Sequence, residues 1–252
     1  MKHRNLTRMV WFFIVVLAFN FASCKQVDDE LIYVNIEKLQ QSKKLIERGN
    51  PIYRDAYHKL LENANEALLR LPNPVTHKNQ MPPSGSKHDY WSIAPYRWPN
   101  PESTDGMPWV LNDGKINPMY SSDEFDSSRL FQMFEDLENL WMAYFFSNEA
   151  QYANKAKQII KTWFLDDSTK VNPNVNFGQS IPGEVDGRRA GIIEWMKISN
   201  VITSVQVLIK DDYLSTQELE KMNDWFSEYY HWLKTNPMGI DNDNGRQNQY
   251  TC

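Results

Sequence analysis

Apolar residues recur along this chain at three- and four-residue steps, the spacing that places them on one face of an α-helix. From Ser128 to Ser147 the stripe is Leu130, Phe134, Leu137, Trp141 and Tyr144, and from Glu149 to Phe164 it is Tyr152, Ala156, Ile159, Ile160 and Trp163. These predict two adjacent helices joined at Asn148. From Asp186 to Lys210 the run is apolar nearly all round after its first turn, as a helix buried on several sides should be. Ser215 and Glu218 form a capping box ahead of Leu219, Met222, Phe226, Tyr229 and Leu233. Upstream, Pro51 opens a helix with Tyr57, Leu60, Ala64, Leu68 and Leu71 on one face and Pro72 ending it, and a shorter helix is predicted from Val34 to Arg48.

No segment alternates as a strand does. Amphipathic helices in series are compatible with a bundle, a helical solenoid or an α/α toroid, and periodicity alone does not choose among them. A repeat of fixed period is missing, which counts against the solenoid.

One long segment breaks the helical rhythm. Pro82 to Asn117 reads PPSGSKHDYWSIAPYRWPNPESTDGMPWVLNDGKIN, with neither helical nor alternating period. Loops this long inside a compact domain are usually functional. Tyr90, Trp91, Tyr96, Trp98 and Trp109 offer flat apolar faces, and His88, Asp89, Arg97 and Asp105 offer charges between them. The mixture suits a sugar ring, which has one apolar face and a rim of hydroxyls or carboxylates. The competing reading is a Pro-rich loop whose aromatics pack onto the helices beneath.

Residues 1–23 combine a basic stretch from Lys2 to Arg8 with an apolar core from Met9 to Ala22 and read as a secretory signal peptide, too short for a membrane span. Phe21-Ala22-Ser23 runs into Cys24 in the manner of a bacterial lipobox, so Cys24 is the expected lipidation site. Residues 24–33 then form a lipidated tether and 34–252 the folded domain. This predicts an exported protein, periplasmic or anchored in the outer membrane of a Gram-negative cell, touching membrane only through its lipid. The other cysteine, Cys252, has no partner but Cys24, so no internal disulfide is expected. A net charge of −5 without a Lys/Arg block argues against nucleic acid as a partner. No His-x-x-x-His pair, Cys cluster or DxDxDG loop suggests a metal, and no cofactor motif is present.

The blocks SGSKHDYWSIAPYRWPNP, DGMPWV and DGKINP, followed in order by SIPGEVDGRRAGIIEW and WFSEYYHWLKTNPMG, resemble the alginate lyase family of polysaccharide lyases over roughly Pro51 to Gly239. The resemblance implies an all-α fold, an incomplete (α/α) toroid, and β-elimination on alginate or a related uronate polymer, an acidic polysaccharide. Such chemistry needs the substrate carboxylate neutralised, its α-proton removed by a base, and the leaving oxygen protonated. In the family an Asn-His pair in an NNHG motif does much of this. Here TNPMG is followed by IDNDNGRQNQYTC, where one register puts Asn248 on the catalytic Asn with Gln249 or Tyr250 at the histidine, and another puts Asn242 to Gly245 there with Asn244 replacing it. The resemblance is therefore to a C-terminally truncated or divergent member: a lyase with another base, or a glycan-binding surface lipoprotein without turnover.

The candidate catalytic residues are Tyr90, His88, Asn248 and Tyr250. Trp91, Arg97, Trp98, Gln179 and Arg188 are the candidate substrate-binding residues, because Arg presents a planar fork that matches a carboxylate. The glycines of PGEVDGRRAG allow close backbone approach around Arg188 and Arg189, whose competing role is a salt bridge to Glu184 or Asp186. A third chemistry, glycoside hydrolysis, would need a pair of carboxyl groups, for which Asp89 and Glu194 are the candidates.

Overall fold

The computed structural model describes residues 31–243. Helix α1 (Ile36–Glu47) starts where the Asn35 side chain accepts the Lys38 N–H at 2.9 Å. Helix α2 (Pro51–Leu69) starts at Asn50 with Pro51 in its first turn, where a missing N–H costs nothing. It buries only Ala64 and Ala67, and Leu71, expected on its inner face, is 85% exposed because the helix has already ended.

Helix α3 (Ser127–Ser147) is the hub, packing on α2, α4 (Ala150–Ile160) and α5 (Ile198–Lys210). Its stripe Leu130, Phe134, Leu137 and Leu140 is fully buried. Asn148 takes the left-handed conformation (φ 59°) and caps the Tyr144 carbonyl at 2.8 Å, so the chain reverses directly into α4. After Ile160 the winding loosens into a π-helical turn, Lys161–Leu165, closed by the Asp166 N–H on the Lys161 carbonyl. Helix α6 (Thr216–Thr235) carries the expected capping box, Ser215 accepting the Glu218 N–H and Glu218 accepting the Ser215 N–H. Helix α7 (Pro237–Asp243) follows. Trp195, Trp225, Tyr229 and Trp232 form a continuous stack, with successive centroids 6.1, 5.3 and 6.1 Å apart.

Two expectations need correction. The run predicted as one helix from Asp186 to Lys210 is a 3₁₀ stretch, Arg189–Trp195, and then α5. The tighter stretch keeps Gly191 against the backbone of Gly178, where an ideal Cβ would come within 2.6 Å of Gly178. Strands also exist. β1 (Trp91–Ile93) pairs in parallel with β4 (Phe177–Ser180), and β2 (Arg97–Trp98) pairs antiparallel with β3 (Val110–Leu111). Strands of two to four residues are too short to display a two-residue period, so the sequence pattern could not reveal them. Together they organise the long loop over a small core of its own, Ile93, Ala94, Trp109, Phe125 and Ile181.

Candidate functional site

The loop and the 3₁₀ stretch meet at Glu194, which is 4% exposed. Tyr90 and Ser92, at the start of β1, donate their hydroxyls to Glu194 Oε2 at 2.8 and 2.6 Å. Tyr120, on the 3₁₀ turn Pro118–Ser121 that closes the loop, donates to Oε1 at 2.8 Å. Burial raises the Glu194 carboxyl above its ordinary range, opposed by hydrogen bonds from Ser92, Tyr90, Tyr120 and Gln179. Tyr120 is itself only half-buried, and its hydroxyl is pushed well up by burial and by the charge of Glu194.

Ser92 connects this carboxylate to β4. Its oxygen also accepts the Gln179 N–H at 2.7 Å, and Gln179 sits at φ 49°, a left-handed backbone that a non-glycine residue adopts at a cost of about 1–3 kcal/mol. The strain turns the Gln179 carbonyl and amide onto one guanidinium. Arg188 donates Nε to the Gln179 carbonyl (3.2 Å) and Nη2 to Oε1 (2.7 Å), while its Nη1 has no partner among the described residues. Arg188 is half-buried, its pKa lowered by burial and by the neighbouring Arg97, and Glu194 and Glu184 pull the other way. Arg97 contacts Glu184 at 3.5 Å and the Trp109 carbonyl at 3.4 Å. The half-buried Trp98 is fixed by its indole N–H on the Lys115 carbonyl at 3.0 Å. The arrangement is a polar patch with two guanidinium groups, a fixed amide, the Tyr120 hydroxyl and the exposed Tyr96 near it. Its chemistry is recognition of an anion that carries hydroxyls.

A buried ion group pins the loop from behind. Lys78 and Asp126 are both fully buried and 3.1 Å apart, and Asp126 also accepts the Trp91 N–H at 2.9 Å. Burial pushes the Asp126 carboxyl up to about 7 despite Lys78 and Arg129 beside it. Among the described residues no three His, Cys, Asp or Glu side chains stand where they would hold a metal ion.

The family model described as Alginate lyase matches residues 74–252. The chain belongs to the alginate lyase family. A solved structure of an alginate lyase from Bacteroides ovatus superposes with a TM-score of 0.77 at 34% identity, covering 82% of this chain and 54% of that one. The chain therefore spans about half the length of that relative. No curated protein matches it. With the family established, the packed helices constitute an incomplete (α/α) toroid, as the sequence blocks implied.

Within this alginate lyase family fold the residues singled out by sequence divide. Arg188, Gln179 and Arg97 come together in the patch, whereas the Trp98 indole is held on the Lys115 carbonyl. Tyr90 does not face a cleft: it is fully buried, its ring edge-on to Trp195 at 5.5 Å, and it serves to hold Glu194. Trp91 is half-buried on Phe125 (4.8 Å), with its indole N–H on Ser180. His88 stands apart, its Nδ1–H donating to the Lys170 carbonyl at 2.7 Å. Asn248, Tyr250 and Cys24 lie outside the described residues. Arg188 takes Gln179 rather than Glu184 or Asp186 as its hydrogen-bond partner. The Asp89 and Glu194 pair is not arranged for hydrolysis, since Asp89 is buried on the Asn172 and Asn174 amides (2.8 and 3.3 Å) and Glu194 on its hydroxyls. Tyr120 and Ser92 were missed. Tyr120 lies just past the DGKINP block, and only its position in that neighbourhood pointed to it.

Proposed function

We propose that this protein acts on an acidic polysaccharide, alginate or a related uronate polymer, as a β-eliminating lyase. The observation that carries the reading is the Arg188 guanidinium, locked by Gln179 with Nη1 left over, in a patch with Arg97 and with Tyr120 across Glu194. A fork so held matches a uronate carboxylate, and neutralising that carboxylate acidifies the adjacent C–H, the first requirement of β-elimination. Tyr120, backed by Glu194, presents a hydroxyl to the same patch.

Titration of the full chain should show alginate or hyaluronan bound in preference to a neutral glucan. Arg188→Ala should weaken uronate binding about tenfold, the loss of one charge-assisted contact worth about 1.4 kcal/mol. Equal binding of all three polymers, or an unaffected Arg188→Ala variant, would remove the reading.

A second reading, binding without turnover, is favoured by one sequence feature: in either register the place of the family's NNHG histidine is taken by Gln249, Tyr250 or Asn244. Loss of general acid-base help costs about 10²- to 10⁴-fold. Ultraviolet absorbance of the unsaturated uronate product separates the two, with uronate binding unaccompanied by any rise in absorbance supporting the second.

Export is part of the same reading, supported by the basic and apolar stretches ahead of Cys24. Cys24→Ala should move the protein from the membrane fraction to the soluble one, and unchanged fractionation would count against acylation there.

A further inference from the structure

Four side chains converge on the Glu194 carboxylate, and three of them are buried. Tyr90 and Ser92 are fully enclosed, and both donate to Oε2, at 2.8 and 2.6 Å. Gln179, also buried, leans on the same carboxylate from β4. Tyr120 is half-buried and donates to Oε1 at 2.8 Å. The enclosure around the Tyr90 hydroxyl is complete, whereas around the Tyr120 hydroxyl it is partial.

We propose that Tyr120 determines specificity: its hydroxyl oxygen accepts a hydrogen bond from a free hydroxyl of the bound uronate unit, so the site discriminates against polymer whose hydroxyls are esterified. The inference rests on the reading of the Arg188 patch as a uronate site and extends it to the uncharged rim of the sugar.

The first ground is where the protons go. A phenol has one proton to give and lone pairs with which to accept. The Ser92 oxygen accepts the Gln179 N–H at 2.7 Å, so its own proton is directed to Glu194 Oε2, and the buried Tyr90 proton has the same destination. Oε1 is left to Tyr120, and a carboxylate oxygen is the strongest acceptor a hydroxyl can find. With its proton so committed, and with no donor among the described residues bonded to its oxygen, Tyr120 offers the patch an acceptor alone.

The second ground is rigidity. The Tyr120 N–H donates to the Asn117 carbonyl at 3.0 Å, and the Ser127 hydroxyl donates to the Tyr120 carbonyl. Asn117 is itself buried and donates its side-chain amide to the Arg97 carbonyl at 2.9 Å, so the turn that carries Tyr120 is tied to the strand that carries Arg97. On the other side Glu194 links it to Arg188, on whose guanidinium the same carboxylate acts. A fixed oxygen that only accepts pairs with a sugar hydroxyl. An ester leaves it unpaired, because ester oxygens also only accept, and sites built in this way reject the analogue that lacks the proton.

The test is titration of the full chain with alginate and with chemically O-acetylated alginate, at a pH well above the carboxylate range, and it reads the ratio of the two affinities. Wild type is expected to prefer the unmodified polymer by about three- to tenfold, the weight of one hydrogen bond. Tyr120→Phe should bring the ratio close to unity by weakening the unmodified polymer only. Glu194→Gln should lower it by the opposite route. With the amide oxygen kept on Tyr90 and Ser92, the amide N–H donates to Tyr120, whose proton then turns outward to meet an ester carbonyl, and the acetylated polymer binds more tightly. A merely structural role for either side chain would weaken both polymers alike and leave the ratio unmoved. A preference that survives in Tyr120→Phe is steric in origin and overturns the proposal, as would equal binding of the two polymers by wild type or an unchanged ratio in Glu194→Gln. Wild type that binds neither polymer would remove the uronate reading itself, and the proposal with it.

Discussion

Replacing Glu194 with leucine is expected to lower the unfolding free energy by about 3 kcal/mol, because it orphans hydroxyls that cannot reach water. Tyr90 is fully buried and Ser92 is fully buried, and each unsatisfied buried donor costs about 1–3 kcal/mol. Tyr120 is half-exposed and can turn to solvent, so its loss adds little. At about 2–4 °C per kcal/mol for a domain of this size, the melting temperature should fall by roughly 6–12 °C. Glu194→Gln keeps the volume and one acceptor, and should cost about 1 kcal/mol in the acid range, where the buried carboxyl is protonated. The two proteins should also differ in pH dependence. Burial raises the Glu194 pKa in the folded state, so its protonated form is favoured there: the wild-type advantage over Glu194→Gln is fullest below the ordinary carboxylate range near 4.3 and is lost as the pH rises through the folded value. Thermal melts across that window check both points, and a leucine variant within 1 kcal/mol of wild type would show that Glu194 does not organise the loop.

Gly191→Ala should be as damaging, for a different reason. Its φ is ordinary, so the cost is steric alone: a Cβ would lie 2.6 Å from both Cα and C of Gly178, which is backbone that no rotamer change can clear. Overpacking costs about 1–3 kcal/mol where side chains can yield, and backbone contact puts this case at or above the upper end. Moving Gly178 also moves Gln179, so uronate binding should fall with stability. Gly114→Ala is the control, with φ 73° but nothing within 4 Å of the added carbon, and should cost only about 1 kcal/mol while leaving binding intact. Denaturant unfolding of the two variants, followed by alginate titration of any folded Gly191→Ala protein, measures this. Equal losses in both would mean that the close approach of Gly178 and Gly191 is not tight.

The helices were legible in the chain because the information is local. A stripe at three- and four-residue spacing, a Ser215–Glu218 box and a Pro51 start act over a turn or two of backbone, and all three recur in the structure. The glycines around Arg188 were legible too, since close approach was the reason to expect them. The ordered sequence blocks carried the family, and with it the toroid that periodicity left open. Tertiary structure alone decided the site. Tyr90 and Glu194 are 104 residues apart, and Trp91 and Ser180 are 89 apart. No local pattern says whether an aromatic in an irregular loop turns inward, as Tyr90 does, or stays half in solvent, as Trp98 does. That choice follows from where the buried carboxylate ends up. It also breaks the apolar run after Trp195, because Gly191 must lie on Gly178 and Glu194 must reach three hydroxyls before α5 can begin.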